Sequence, residues 1–213
     1  MILSTDRIRK LMYDTSIKDP AERLIITPIL DWDTQAKTGQ CAIDLRLGQK
    51  FTIPRRAKLD YLDHVGLSYT ANIRKYMDRH HVPLGDWFVL HPRQFVLGET
   101  LEWIHLPKIH AAYVIGRSSW GRDGLIIATA TGVHAGYTGV LTLEITNLGE
   151  VPVRLYPGLA IAQLFIHTVD QACETMPQPS AFTGATGPTS GNAAGDDKLI
   201  IRKLAERRGT PIP

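Results

Sequence analysis

The chain has 213 residues, of which 44% are apolar and 21% charged, enough to bury a core and too apolar for a disordered chain. Its formal charge of +3 suits a polyanionic small ligand or a mild attraction to nucleic acid, and charge alone does not separate them. Cys41 and Cys173 stand far apart, in no disulfide or zinc pattern. The N-terminus carries no apolar core of signal-peptide length and no later run is long enough to span a bilayer, so a cytoplasmic protein is expected.

Ser4 or Thr5 can cap a short amphipathic helix in which Ile8, Leu11 and Met12 recur at helical spacing. From Ile43 onward short apolar runs alternate with turns, as in Phe88 to Leu90, His91-Pro92-Arg93-Gln94, and Phe95 to Leu97. The clearest predicted strand is Val140 to Thr146, with Leu141, Leu143 and Ile145 on one face and Thr142, Glu144 and Thr146 on the other. Val151, Val153 and Leu155 repeat the alternation, Tyr156-Pro157-Gly158 turns the chain, and Ala160 to Ile166 reads as a buried strand. Many short strands without strand–helix alternation predict an all-β, barrel-like fold with a few short peripheral helices.

The barrel is expected over residues 1–176, with an insertion at 57–84 where Ile73, Tyr76 and Met77 hint at a helix. Residues 177–195, rich in Pro, Ser, Thr, Gly and Ala around Phe182, predict a flexible arm. Residues 196–213 predict a helical extension capped by Asp196 or Asp197, carrying Leu199, Ile200 and Leu204 and closing on Arg207, Arg208 and Gly209.

Three segments carry candidate chemistry. Gly116-Arg117-Ser118-Ser119-Trp120-Gly121-Arg122 gathers two guanidinium groups and two hydroxyls beside glycines that admit a ligand to the backbone, which suits phosphates; a polar turn has the same composition. Glu144, among apolar neighbours, is either a general base or a solvent-facing or ion-paired carboxylate. Thr131 to Gly139 holds Gly132, Gly136 and Gly139, with His134 shortly before Tyr137, as in a tight hairpin that lines a pocket or simply turns the chain. Trp32, Trp87 and Trp103 read as core or interface residues, and Arg79-His80-His81 as a solvated basic face.

In order and spacing, these segments resemble the dCTP deaminase and dUTPase superfamily from Met1 to about Ser190. The likeness is carried by Met1-Ile2-Leu3-Ser4 with Asp6-Arg7-Ile8, by Ala42-Ile43-Asp44-Leu45-Arg46-Leu47-Gly48, and by Phe88 to Pro92 with Phe95 to Gly98. Gly116 to Arg122, Gly136-Tyr137-Thr138-Gly139, Leu141-Thr142-Leu143-Glu144, Tyr156-Pro157-Gly158 and Ile161-Ala162-Gln163-Leu164 follow in the same order. Glu144, with Asn147 after it, resembles the deaminase branch.

The resemblance implies a dUTPase-like β-clip, or distorted β-barrel, assembled as a homotrimer with active sites between subunits. It implies a deoxynucleotide substrate whose triphosphate brings Mg2+, with no zinc, no membrane and no nucleic-acid partner. The implied reaction turns dCTP into dUTP and ammonia: Glu144 activates the water that attacks C4 of cytosine, while Ser118 and Arg122 polarise that water and the developing charge. Arg117 and Ser119 would hold phosphates, and Gln163 the phosphate or sugar. Ala130, Val133, His134, Tyr137, Thr142 and Leu143 would contact the substrate, and Phe182 would close over it.

The chain also departs from the pattern. His134 stands where the family carries an aspartate, which argues against simple dUTP hydrolysis. Ala181, Phe182 and Ala185 precede Gly187-Pro188 without the family's Lys-Tyr pair and Gln, so a looser triphosphate grip is expected from the arm. Two other functions stay open: a dUTPase or a bifunctional enzyme forming dUMP, and a silent nucleotide sensor whose Arg202-Lys203 and Arg207-Arg208 pairs bind a partner.

Overall fold

The computed structural model describes residues 1–55, 76–129, 132–172, 183–189, 200–201 and 203–204. It divides into two compact units, residues 1–52 with 79–189 and residues 53–78 with 190–213. Ala130, Phe182, Cys173, Ile73 and most of the expected insertion and C-terminal extension lie outside the described residues.

In the first unit, strands dominate. The 11-residue β6 (Phe95–His105) is the spine. Along one edge it pairs with β10 (Thr138–Asn147), and along the other with β3 (Lys50–Pro54) and then β1 (Ile25–Thr27). β4 (Met77–His81) and β8 (Leu125–Ile127) complete this sheet at its ends. A second sheet has the order β2 (Ile43–Arg46), β12 (Ala160–Thr168), β7 (His110–Gly116), β9 (Gly132–Val133). β5 (Phe88–Leu90) and β11 (Val153–Leu155) form a separate ribbon. The ladders among the described residues that join β6 to β1, β3 and β10, β10 to β8, β11 to β5, β12 to β2 and β7, and β7 to β9 are antiparallel.

The alternation that predicts β10 is seen in its burial: Gly139, Leu141, Leu143, Ile145 and Asn147 are buried, and Thr138, Val140, Thr142, Glu144 and Thr146 half-buried. Residues of one parity face the core of Ile43, Leu45, Leu164 and Ile166, all fully buried. Helix α1 (Thr5–Met12) is capped by the Ser4 hydroxyl, which accepts from the Arg7 N–H, and it buries Ile8. Further helices among the described residues of this unit are a 3-10 turn at Pro20–Glu22, α2 (Trp32–Gln35) and α3 (Ser118–Arg122). None of the helices among the described residues is long and apolar enough to cross a membrane.

One expectation needs correction. Met77, read as part of a helix, begins β4, whose Met-Asp-Arg-His-His sequence lacks apolar alternation. Pairing at the sheet edge, as where the Val82 N–H reaches the Gln49 carbonyl at 2.8 Å, overrides the local preference. In the second unit the Arg55 N–H donates to the Tyr76 carbonyl and the Arg55 guanidinium pairs with Asp78. Ile200, Ile201, Lys203 and Leu204 are helical.

Asn147 holds the turn after β10. Fully buried, its amide donates to the carbonyls of Leu90 (3.0 Å) and Val151 (2.9 Å), and its carbonyl accepts from Gly149 N–H (2.9 Å). Asn147→Ala removes all three bonds and is expected to cost about 3 kcal/mol, read as a lower denaturation midpoint in urea.

Candidate active site

Glu144 sits where two covers of the same strand edge meet. Its main-chain carbonyl accepts from Ala128 N–H (2.8 Å) and its N–H donates to the Thr129 hydroxyl (3.1 Å), at the end of β8. Further back along that edge, residues 183–189 take over: the Val140 N–H donates to the Ala185 carbonyl (2.9 Å) and the Gly184 N–H to Thr138 (2.7 Å). The Thr142 hydroxyl accepts from Thr189 N–H at 3.1 Å. The described part of the expected arm therefore lies against the strand that carries Glu144. The Glu144 side chain is half-buried, on the face shared with Thr142, and makes no hydrogen bond or ion pair among the described residues.

Docking of the arm depends on Gly139. Its φ of +140° is one that L side chains rarely adopt, and an added Cβ would lie 2.9 Å from the Ala185 nitrogen. Gly139→Ala is expected to release residues 183–189, raising their protease-accessible population roughly tenfold or more as two main-chain bonds are lost. Limited proteolysis followed by mass spectrometry reads the cleavage rate directly.

The Gly116 to Arg122 segment leaves the second sheet. Arg117 N–H donates to the Ile161 carbonyl (3.1 Å) and the Trp120 indole to the Ala160 carbonyl (2.9 Å), so both ends of the turn are tied to β12. Ser118, Ser119 and Arg122 are exposed on α3, with no side-chain partner among the described residues. Arg117 and Gln163 share one partner, Asp44 of β2: its carboxylate pairs with the guanidinium at 3.2 Å and accepts from the Gln163 amide at 2.9 Å. The sequence reading gave Asp44 no role. It faces a cavity of about 290 Å³ also bordered by Gln35, Lys37 and Arg46.

Beneath that cavity Glu102, with no exposed surface, accepts from the Gln35 amide (2.7 Å) and the Arg46 N–H (2.8 Å), with the Arg46 guanidinium 3.8 Å away. The Arg46 guanidinium also donates to the Gln35 carbonyl oxygen. A register shift between β6 and β10 accompanies this inward turn, and the Thr100 hydroxyl takes the Leu141 N–H there at 2.9 Å. Burial pushes Glu102 up to about 7, against the pull of the Arg46 and Gln35 donors.

Other expected contacts are narrowed. The Leu143 side chain is fully buried on the opposite face from Glu144, so a ligand can meet only its main chain. Val133 is buried in β9. The Tyr137 hydroxyl donates to its own hairpin, at the Val140 carbonyl (2.7 Å), and burial pushes its pKa up to about 12. His134 is exposed at the turn, its carbonyl accepting from Tyr137 N–H at 3.1 Å. Among the described residues no bond joins Glu144 to Ser118 or Arg122 within the chain.

The antiparallel frame thus presents a half-buried carboxylate at Glu144 and an exposed Ser-Ser-Arg turn on α3. The dCTP deaminase-like family model matches residues 2–169, and the chain belongs to that family. It is 36% identical over 200 residues to a dCTP deaminase of Natronomonas pharaonis, covering 92% of this chain and 96% of that one. It is also 36% identical over 194 residues to a dUMP-forming dCTP deaminase of Dictyoglomus turgidum, covering 89% and 93% respectively. Among solved structures, the 2'-deoxycytidine 5'-triphosphate deaminase of Agrobacterium tumefaciens shares the fold, with a TM-score of 0.57 and 23% identity. That match covers 79% of this chain and about half, 48%, of the longer one.

Proposed function

We propose that the chain deaminates a cytosine deoxynucleotide, dCTP, with water as the nucleophile and Glu144 as the proton carrier. The observation that supports this most is Glu144 itself: a half-buried carboxylate with no internal partner among the described residues, held by main-chain bonds to Ala128 and Thr129. On this reading the carboxylate takes a proton from water as its oxygen bonds to C4 of cytosine. It then delivers that proton to the amino group, ammonia leaves, and the second proton of the water passes from the new hydroxyl to N3 as C4 becomes the carbonyl of uracil.

Ser118 and Arg122, exposed and unpartnered on α3, polarise the attacking water and the charge that develops on the base. In this proposal they serve a Glu144 of a neighbouring copy in a homotrimer, which fits the absence of any bond between them and Glu144 within the described chain. Asp44 keeps Arg117 and Gln163 in one orientation at the rim. On this reading Mg2+ comes with the nucleotide's phosphates.

Incubation with dCTP and magnesium, following ammonia, dUTP, dUMP and pyrophosphate together, tests the proposal. Ammonia with dUTP is the expected result; pyrophosphate without ammonia would overturn it. Relatives named both ways match equally well, at 36% identity, which keeps a dUMP-forming variant as the second reading. In that case dUMP and pyrophosphate accompany ammonia.

A further inference from the structure

Residues 183–189 touch three strands that lie side by side in the larger sheet, β3, β6 and β10. At β10 the Gly184 N–H and the Ala185 carbonyl bond Thr138 and Val140. At β3 the Lys50 ammonium donates to the Thr186 carbonyl. The chain then passes Glu99 of β6 so closely that a Cβ added at Gly187 would lie 3.7 Å from Glu99 Oε2 and 3.4 Å from Lys50 Cδ. It returns to β10 at Thr189, whose N–H donates to the Thr142 hydroxyl at 3.1 Å. Of these bonds only the one from Lys50 is charge-assisted. Lys50 is itself fixed at its base, where its N–H donates to the buried Glu99 carboxylate at 3.2 Å. The second oxygen of that carboxylate is buried without a hydrogen bond, and burial raises the Glu99 pKa while the Lys50 charge pulls it back.

Glu99 is the cross-strand partner of Thr142, and Thr142 shares its face with Glu144. The segment is therefore fastened on the face of the sheet that carries the proposed proton carrier. Phe182, expected to close over the nucleotide, directly precedes it in the chain. Glu144 itself is held from the other cover, by main-chain bonds to Ala128 and Thr129 in which Lys50 has no part.

We infer that Lys50 is a positioning residue for substrate binding: through the Thr186 carbonyl it fastens residues 183–189 beside Glu144 before the nucleotide arrives. The inference rests on the deaminase reading for the identity of that nucleotide. A segment that orders only on binding subtracts its ordering entropy from the affinity, and one fastened beforehand does not. The gain falls on KM and not on kcat, because the bonds that place Glu144 are untouched by Lys50.

Lys50→Met, at an exposed position, keeps the apolar stem and removes the donor. Hydrogen exchange of the full chain, read by mass spectrometry, is expected to quicken about tenfold in peptides covering 183–189 and to stay at the wild-type rate in those covering β12. With dCTP, KM is expected to rise about tenfold at unchanged kcat. Lys50→Arg can still donate to the Thr186 carbonyl, and it restores both the exchange rate and KM. Arg79→Ala removes a positive charge from the cleft that Lys50 and Thr186 also border, without removing a bond to 183–189 among the described residues, and is expected to change neither. An equal rise of KM in Arg79→Ala would assign the effect to charge attraction and overturn the inference. Wild-type exchange at 183–189 in Lys50→Met would overturn it too, as would faster exchange with KM unmoved, or a loss confined to kcat. A wild type that releases no ammonia sinks the deaminase reading by itself. Calorimetry with dCTP then decides the inference: affinity about tenfold weaker in Lys50→Met sustains it, and no difference between the two proteins overturns it.

Discussion

Glu144→Gln lowers ammonia release from dCTP by about 10²–10⁴-fold, the range of general acid–base catalysis, and leaves the protein folded. Both parts of this expectation come from the same geometry. The bonds that place residue 144 are main-chain bonds to Ala128 and Thr129, and glutamine keeps them. The side chain itself is half-buried and unpartnered among the described residues, so an amide of equal size leaves no buried donor or acceptor stranded. What the amide cannot do is accept a proton from water. A thermal melt that coincides with the wild type, beside a collapsed ammonia signal, is the expected pair of results. Near-full turnover in Glu144→Gln would remove Glu144 from the reaction.

The second large effect concerns stability. Glu102→Ala is expected to cost about 3–5 kcal/mol, because the Gln35 amide and the Arg46 N–H lose their acceptor and the largely buried Arg46 guanidinium 3.8 Å away loses its carboxylate partner. The same residue makes stability depend on pH. Burial raises its folded pKa from 4.5 to about 7. The native state therefore holds a proton that the unfolded chain has already released. Stability falls as pH climbs from 4.5 through about 7 and levels off above, by about 3 kcal/mol at most from this group. Glu102→Gln cannot titrate, and it sets an N–H against one of the two donors. Its deficit relative to wild type is thus greatest near pH 5 and shrinks toward about pH 8. Urea unfolding across that range measures the difference, and a deficit independent of pH would remove Glu102 as its source.

Much of the frame was legible because burial imposes a period of two. Leu141, Leu143 and Ile145 spell out β10, and the run from Ala160 to Ile166 spells out β12, since both strands bury an apolar face. The same logic placed Glu144 opposite the core without any structure. It says nothing of β6 beyond Leu97, where Gly98, Glu99, Thr100 and Glu102 break the apolar run and are nevertheless buried. Their partners, Lys50, Gln35 and Arg46, lie far away in sequence, and no local pattern announces a buried carboxylate that is satisfied from a distance. Asp44 escaped for the same reason: an aspartate in a strand looks solvated until the fold brings Arg117 and Gln163 to it. The phosphate-like composition of the Gly116 to Arg122 turn was visible, but not that its first guanidinium is already paired. β4 was missed because its five residues hold one apolar side chain, Met77, and pair at a sheet edge.

The docked segment at 183–189 has one more consequence. β8 covers β10 only from Ile145 to Asn147, so the earlier part of that edge would present open N–H and C=O groups were it bare. Such an edge is a template on which a second chain can add a strand and begin an aggregate. By bonding Thr138 and Val140, Gly184 and Ala185 act as a built-in guard, so that a chain cut before residue 183 is expected to self-associate through the strand that carries Glu144.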